Sequence, residues 1–202
     1  MPESYLRQSV LAHLHLEVAA VDDVGDAGVV MCERAHLGKL ILRGGPNDDA
    51  FLEVVKGTLG AALPLESNRV SEGDSVTVLW LGPDEWLVVT APGEGAALGQ
   101  ALDAGVTPHG GIATHVTDSR AVIGLSGPRA RDVLAKGCPL DLHPQSFGPG
   151  HCAQSLVAKA SVLIHQRDDG PRYDLYVGRS FATYLWRWLE DAAQEYGCAV
   201  IH

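Results

Sequence analysis

Residues 79–90, LWLGPDEWLVVT, contain two apolar runs that are separated by the tetrapeptide GPDE at 82–85. Turn-forming residues between two hydrophobic runs are typical of a β-hairpin. A second stretch of the same kind lies downstream, where the apolar runs 162–164 and 174–177 flank the polar segment 167–171. A helical pattern precedes and follows each stretch. The sequence therefore predicts two copies of one structural unit.

Each predicted hairpin is preceded by a strand, a Gly-Pro pair and a helix. The pairs are Gly45-Pro46 and Gly127-Pro128. In the first copy Pro46 is placed at the first helical position, where its missing N–H costs nothing. Asp48 and Asp49 then fall in the first turn, where the helix dipole favours negative charge. The repeated order is β-α-β-β-α, which predicts antiparallel sheets with helices packed on one face.

The predicted fold class is α+β, with one domain over residues 35–202. It is made of two pseudo-repeats, about 35–105 and 112–202, which share a core because no linker-like stretch separates them. Residues 1–34 are predicted to form an N-terminal arm, since they show no clean period and become rich in Asp and Gly. Two interpretations of the arm stay open: a loosely packed segment, or a contact with a partner protein.

The strongest helical pattern lies near the C-terminal end of the sequence. Ser180 is placed at the N-cap and Gly197 ends the helix. The apolar residues that follow helical spacing are Phe181, Tyr184, Leu185, Trp188, Leu189, Ala192 and Tyr196. Trp186 falls about 120° from the centre of that stripe, at 100° per residue. It is therefore predicted to be exposed, either as an interface residue or half covered by a loop.

Composition limits the classes of function. The net charge of −10 argues against a nucleic-acid partner, which needs clustered Lys and Arg. No run of about 18 apolar residues occurs, and no signal-peptide pattern opens the sequence, so no membrane association is predicted. The cysteines are far apart and form no C-x-x-C pair: Cys32, Cys138, Cys152 and Cys198. This usage favours four free thiols and a cytoplasmic location.

No motif indicates catalysis or cofactor binding. Neither a Gly-x-Gly-x-x-Gly nor a Walker loop occurs. His13 and His15 could lie on one face of a strand, but no nearby cysteine or carboxylate completes a metal site. His109, His115, Asp118 and Ser126 contain the residue types of a catalytic triad. No nucleophile elbow frames that serine, so the sequence predicts no catalytic, cofactor-binding or metal-ligating residue.

Several segments carry a family resemblance. The order ERAHLGK at 33–39, then Gly-Pro and a helix, then LGPDEWL at 81–87 resembles the folate-binding aminomethyltransferases, such as the T-protein of the glycine cleavage system. The second half is similar to the gamma subunit of heterotetrameric sarcosine oxidase, through LDLHP at 140–144 and RSFA at 179–182. The resemblance covers roughly residues 33–197.

The resemblance implies a small non-catalytic subunit, with a structural or assembly role in a flavoenzyme of sarcosine catabolism. The heterotetramer oxidatively demethylates sarcosine to glycine, and with tetrahydrofolate and O2 it gives 5,10-methylenetetrahydrofolate and H2O2. The implied partners are the alpha, beta and delta subunits. The implied cofactors, FAD, FMN, NAD, tetrahydrofolate and zinc, are bound by those subunits, so this chain alone would bind none and have no activity.

Two alternatives stay open. The chain could be the equivalent subunit of a related amine dehydrogenase of the N-methylglutamate dehydrogenase type, because the amine site would lie on another chain. It could also be a stand-alone folate-binding one-carbon protein. The aminomethyltransferase pattern implies acids entering the first hairpin, where Val76 and Thr77 stand here, while Glu72 and Asp74 come earlier. This departure argues against folate binding by this chain.

A subunit needs an interface, and the predicted candidates are the N-terminal arm, an apolar loop and a tryptophan. Leu140, Leu142 and Phe147 lie in a proline-flanked loop, residues 139–150, and Trp186 lies on the last helix. A loop that prolines stiffen can dock at little ordering cost.

Overall fold

The computed structural model describes residues 7–202, so the first six residues of the predicted arm lie outside the described residues. In the described part the strands are β1 (Val29–Glu33), β2 (Gly38–Arg43), β3 (Val70–Glu72), β4 (Val76–Gly82), β5 (Glu85–Thr90), β6 (Ile112–His115), β7 (Arg120–Ser126), β8 (His151–Val157), β9 (Ala160–Asp168), β10 (Arg172–Gly178) and β11 (Cys198–Val200). The helices are α1 (Leu16–Ala19), α2 (Asp49–Leu59), α3 (Gly95–Val106), α4 (Ala130–Ala135) and α5 (Ala182–Ala193).

The strands form two sheets that are antiparallel except where β1 pairs with β11. The five-stranded sheet has the order β3-β4-β5-β2-β6, and the six-stranded sheet has the order β8-β9-β10-β7-β1-β11. Both predicted hairpins are present, as β4–β5 and β9–β10. In each sheet the hairpin pairs with the strand that opens its unit, β2 or β7. The predicted α+β class with antiparallel sheets is confirmed.

The strand that precedes each unit joins the sheet of the other unit. β1 comes before β2 in the chain but pairs with β7, and Met31 lies opposite Leu125. β6 comes before β7 but pairs with β2, and Leu42 lies opposite Ala113. Residues 112–115, predicted to open the second pseudo-repeat, therefore lie in the sheet of the first, and residues 29–33, predicted to belong to the N-terminal arm, form a strand of the six-stranded sheet. The exchange ties the halves together, because each sheet is completed by a strand from the other half.

The sheets stack face to face, and helices cover their outer faces. Helices α2 and α3 contribute Phe51, Val55 and Leu102 to one core with the five-stranded sheet. Helices α4 and α5 contribute to a second core with the six-stranded sheet. A third buried cluster lies between the sheets and contains Leu87 and Tyr176. The chain is thus a four-layer α/β/β/α structure with a continuous interior.

Helix α2 begins later than predicted. Pro46 lies in the preceding turn, and Asp48 is the N-cap. Its Oδ1 accepts hydrogen bonds from the N–H groups of Ala50 (3.0 Å) and Phe51 (3.2 Å). The helix ends at Gly60, whose φ of +66° lies in the left-handed region that favours glycine.

Replacing Asp48 with alanine is expected to lower the free energy of unfolding by about 1 kcal/mol, because two N–H groups lose their acceptor. Urea unfolding of the variant measures this loss. The matched control is Asp49→Ala, which removes the same charge from the first turn without removing a cap. Equal losses for the two variants would contradict the capping role.

The buried face of helix α5 shares Leu185, Leu189 and Ala192 with the predicted stripe but is rotated towards Trp186. A 3-10 turn, Arg179–Phe181, precedes it and contains Ser180, so the predicted N-cap is wrong. The buried residues are Ala182, Leu185, Trp186, Leu189, Ala192 and Ala193. Phe181 and Tyr184, which were placed on the buried stripe, are 46% and 37% exposed. The predicted stripe was anchored on Phe181, which precedes the first helical residue, and this shifted its centre.

Candidate subunit interface

The predicted interface side chains are mostly buried. Trp186 is 0% exposed, Leu142 and Phe147 are also buried, and Leu140 is half-buried against the same core. The prediction that Trp186 is flanking or exposed is therefore wrong. The assignment of Leu140, Leu142, Phe147 and Trp186 to an interface stays a prediction, and in the free chain the last three do not offer their side chains to a partner.

The loop at residues 139–150 explains part of this difference. It turns its apolar side chains towards α4 and α5 and its polar side chains outward. Asp141, for example, is exposed and accepts a hydrogen bond from the Ser146 hydroxyl (2.7 Å). That bond and the backbone N–H of His143 lower the pKa of the Asp141 carboxyl. The surface of the loop is thus polar, although its sequence is rich in apolar residues.

The histidines and the serine weighed as catalytic residues are not brought together. His115 Nε2 contacts Thr117 Oγ1 (2.8 Å), and Asp118 pairs with Arg7 (3.2 Å). Ser126 lies at the far end of the seven-residue strand β7, roughly 20 Å away. Among residues 7–202, no group of three His, Cys, Asp or Glu side chains could hold a metal ion. In the same range, no helix has the length and apolar character needed to cross a membrane.

A buried charged cluster lies between the sheets and was not predicted. Asp174 on β10 is buried and pairs with Arg34 and with Arg167 (3.7 Å). Its cross-strand neighbour on β9 is His165, which is 2% exposed. Burial raises the pKa of Asp174, although both arginines oppose that shift. Burial, and then the charges of Arg167 and Arg34, lower the pKa of His165 to about 4.

One side of this cluster opens into a cleft of about 390 Å³. Arg34, Arg167, Glu72 and Asp74 all line it. Both acids are exposed, Glu72 at the end of β3 and Asp74 in the turn that follows. Val76, which stands where the aminomethyltransferase pattern implies an acid, packs into the core.

A larger cleft of about 680 Å³ lies at the other end of the inner face of the six-stranded sheet. Its floor contains Leu163 and Tyr176, which belong to the cluster between the sheets. Leu156 on β8 is 49% exposed and Phe181 is 46% exposed beside it. Gln154 marks the boundary with the five-stranded sheet, because its Nε2 donates to the Leu81 carbonyl (2.9 Å).

The charges around this cleft have one sign. Arg120 and Lys159 line it, and no Asp or Glu does. A narrower cleft shares Arg120 and adds Lys39 and Arg179, and unlike the larger cleft it is also lined by Glu33 and Asp118. We call these four basic residues the cationic cluster. Within the described residues none of them forms an ion pair at 4.0 Å or less. Lys39 is buried, so the surface charge of the cluster comes from Arg120, Lys159 and Arg179. The chain has 25 acidic residues against 15 Lys and Arg, so this positive surface contrasts with its overall charge.

Burial affects two members of the cationic cluster. It lowers the pKa of Lys39 to about 8, and the Lys39 ammonium donates to the Leu37 carbonyl (2.8 Å). It also lowers the pKa of Arg120, because the guanidinium is partly removed from water. The charge of Asp118 opposes the shift of Lys39, and that of Glu85 opposes the shift of Arg120, but neither acid forms an ion pair with its cation at 4.0 Å or less. A partly buried cation without an ion pair gains free energy when a further acidic group approaches. The arrangement therefore suits binding of a carboxylate rather than catalysis.

The comparison with known proteins explains the fold. Residues 43–195 match the family described as sarcosine oxidase, gamma subunit family. Sarcosine oxidase subunit gamma from Corynebacterium sp. (strain U-96) is 33% identical over 197 residues, which cover 97% of this chain and 94% of the relative.

Two solved structures agree with this match. A chain of the heterotetrameric sarcosine oxidase from Corynebacterium sp. U-96, in complex with pyrrole 2-carboxylate, superposes with a TM-score of 0.85 at 32% identity, covering 98% of this chain and 100% of that one. Aminomethyltransferase T of the glycine cleavage system from Bartonella henselae has a TM-score of 0.70 at 13% identity, covering 97% of this chain and 59% of that one, and shows a shared fold alone. The chain belongs to the sarcosine oxidase gamma subunit family.

Proposed function

We propose that this chain is the gamma subunit of a heterotetrameric sarcosine oxidase. Its role in that complex is structural, and it contributes no catalytic group. The observation that carries the proposal is its similarity, over nearly its whole length, to a chain of a heterotetrameric sarcosine oxidase. Its partners are the alpha, beta and delta subunits. The exchanged strands are compatible with this role, because they tie the two halves of the chain into one body.

The proposed complex oxidatively demethylates sarcosine to glycine. Tetrahydrofolate takes up the methyl carbon as 5,10-methylenetetrahydrofolate, and O2 is reduced to H2O2. FAD, FMN, NAD, tetrahydrofolate and zinc belong to the other subunits in this proposal. We place the complex in the cytoplasm, which accords with four free thiols, because a reducing compartment keeps cysteines unpaired.

The residues of this chain fit folate poorly, which supports assigning folate to another subunit. The start of β4 offers Val76, which is buried, and Thr77, which carries no charge. Glu72, at the end of β3, and Asp74, in the turn that follows, line a cleft together with Arg34 and Arg167. Both arginines pair with Asp174.

Co-expression of the four genes, with a tag on this chain, tests the proposal. We expect a yellow complex of four chains that consumes O2 and forms H2O2 with sarcosine. The purified chain alone is expected to be colourless and inactive. A colourless single chain from the four-gene expression, or sarcosine oxidation by the isolated chain, would contradict the proposal. Faster turnover of N-methylglutamate than of sarcosine would favour the dehydrogenase alternative.

Thermal unfolding with tetrahydrofolate tests the stand-alone alternative. A ligand that binds only the folded chain at 100 times its Kd adds about 2.7 kcal/mol to the free energy of unfolding, which raises the Tm by several degrees. We expect no rise for the isolated chain. A rise that depends on folate concentration would favour a folate-binding one-carbon protein.

A further inference from the structure

We propose that a partner subunit adds an extended segment to the open edge of β8 and places a carboxylate of that segment against the cationic cluster. The inference rests on the proposed function, because it names a surface by which the gamma subunit would hold another subunit. Three features carry it: an unpaired strand edge, exposed apolar side chains beside that edge, and cations that form no ion pair within the described residues.

The first feature is the edge itself. β8 is the last strand of the six-stranded sheet, and its beginning is covered by the loop before β3. There Cys152 N–H donates to the Asn68 carbonyl (2.9 Å), and Arg69 forms a bridge with His151. Because the N–H of Cys152 points away from β9, the backbone groups of Gln154 and Leu156 point the same way.

The second half of this edge is open. Within residues 7–202, no backbone group pairs with the outward N–H and C=O groups of Gln154 and Leu156. An unpaired edge is a template for an added strand, and proteins usually protect it with a bulge, a covering loop or a short length. Here the pairing of β8 with β9 is regular through the turn, from His151 opposite Gln166 to Val157 opposite Ala160. The edge is therefore ready to accept one extended segment.

The second feature is the apolar surface beside the edge. Leu156 and Phe181 are about half exposed, and both line the larger cleft. The ring of Tyr184, 37% exposed, lies edge-on to Phe181 with centroids 6.3 Å apart. Among the large exposed apolar residues of the described chain, two are aromatic, Phe181 and Tyr184, and both lie beside this cleft. Apolar patches with a charged rim are typical of protein contacts.

The third feature is the positive charge beside the edge, which indicates what kind of segment binds there. A second copy that paired β8 with β8 would bring no carboxylate from that strand, because β8, HCAQSLV at 151–157, contains no Asp or Glu. A segment with a carboxylate would instead meet cations that lack ion pairs within the described chain. Side chains alternate along a strand, so residues of the added segment that face the same side as Leu156 would enter the cleft. Those positions are expected to carry an apolar residue and an Asp or Glu.

Proline at position 156 tests the backbone part of the proposal in the co-expressed four-subunit complex. Leu156→Pro removes an outward N–H without touching the bonds from Ser155 and Val157 to β9, and proline is tolerated at sheet edges. We expect the yield of partner subunits recovered with the tagged chain to fall at least about fivefold, the effect of one lost hydrogen bond or more. Leu156→Ala keeps the N–H and is expected to weaken recovery less.

Charge reversal tests the electrostatic part. Lys159→Glu is expected to lower recovery of partner subunits by about tenfold at low salt and to reduce the dependence of recovery on salt. The control is Lys56→Glu, which makes the same change at an exposed position of α2 and should leave recovery unchanged. Thermal unfolding of each full-length variant shows that it is folded.

Hydrogen exchange gives a readout that does not depend on a variant. The amides of Gln154 and Leu156 are expected to exchange at least about tenfold more slowly in the complex than in the free chain. Failure of the wild-type chain to assemble would overturn the proposed function. Normal assembly of Leu156→Pro and Lys159→Glu, with unprotected amides, would overturn this inference alone. A dimer of the free chain that Leu156→Pro abolishes would also overturn it, by showing a second copy at the edge.

Discussion

Replacing Trp186 with alanine is expected to lower the free energy of unfolding of the purified chain by about 3–5 kcal/mol. The side chain is 0% exposed and belongs to the core that α5 forms with the six-stranded sheet. Removing the indole leaves a cavity that Leu185 and Leu189 on the same helix cannot fill without moving. For a chain of 202 residues the corresponding fall in Tm is about 10 °C, which thermal and urea unfolding would measure.

Two variants control this prediction. Trp186→Phe keeps most of the ring, and the Nε1 that it removes has no hydrogen-bond partner among the described residues, so we expect a loss of about 1 kcal/mol. Tyr184→Ala, on the exposed side of α5, is expected to lose less than about 1 kcal/mol. If Trp186→Ala left unfolding unchanged but prevented assembly, Trp186 would be an exposed interface residue, as the sequence pattern predicts.

Trp186 also shows where the sequence pattern is a poor guide. The two hairpins could be predicted because a hairpin is determined by residues that are close in sequence, namely turn residues between two apolar runs. The buried face of α5 depends on where the helix starts, and the 3-10 turn at Arg179–Phe181 shifts that start. Ala182 and Ala193 are small and weakly apolar, so they contribute little to a hydrophobic pattern, yet both are fully buried.

The exchange of strands between the halves could not be predicted from the local pattern. β1 and β6 are short, and each is next in sequence to a strand with which it does not share a sheet. Partner choice there is decided by long-range packing: Met31 and Leu125 meet beneath α5, and nothing near Met31 in the sequence indicates this.

The cationic cluster was missed for a related reason. Lys39, Arg120, Lys159 and Arg179 come from β2, β7, the β8–β9 turn and the turn before α5. In the sequence each is a single basic residue in an acidic chain. Only the stacking of two sheets brings them to adjoining clefts, so a residue pattern read along the chain carries no signal for the site.

Lowering the pH from 7.5 to 5.0 is expected to reduce the free energy of unfolding of the wild-type chain by about 2 kcal/mol more than that of His165→Leu. His165 is 2% exposed, its Nδ1 has no hydrogen-bond partner among the described residues, and its pKa is about 4 in the folded chain. In the unfolded chain a histidine takes up its proton near pH 6.5. Between these values the unfolded state binds more protons than the folded state. The contribution of neutral His165 to the free energy of unfolding is therefore fully present above pH 6.5 and is lost as the pH falls towards 4.

The comparison with His165→Leu isolates this effect from that of Asp174. Burial raises the pKa of Asp174, so in the range where that carboxyl titrates the folded state binds more protons and stability rises as the pH falls. This sign is opposite to that of His165, and both proteins contain Asp174, so its effect largely cancels in the difference. His202→Leu, at an exposed position, should keep the pH dependence of the wild type. An identical pH dependence for wild type and His165→Leu would mean that His165 is protonated, and therefore solvated, in the folded chain.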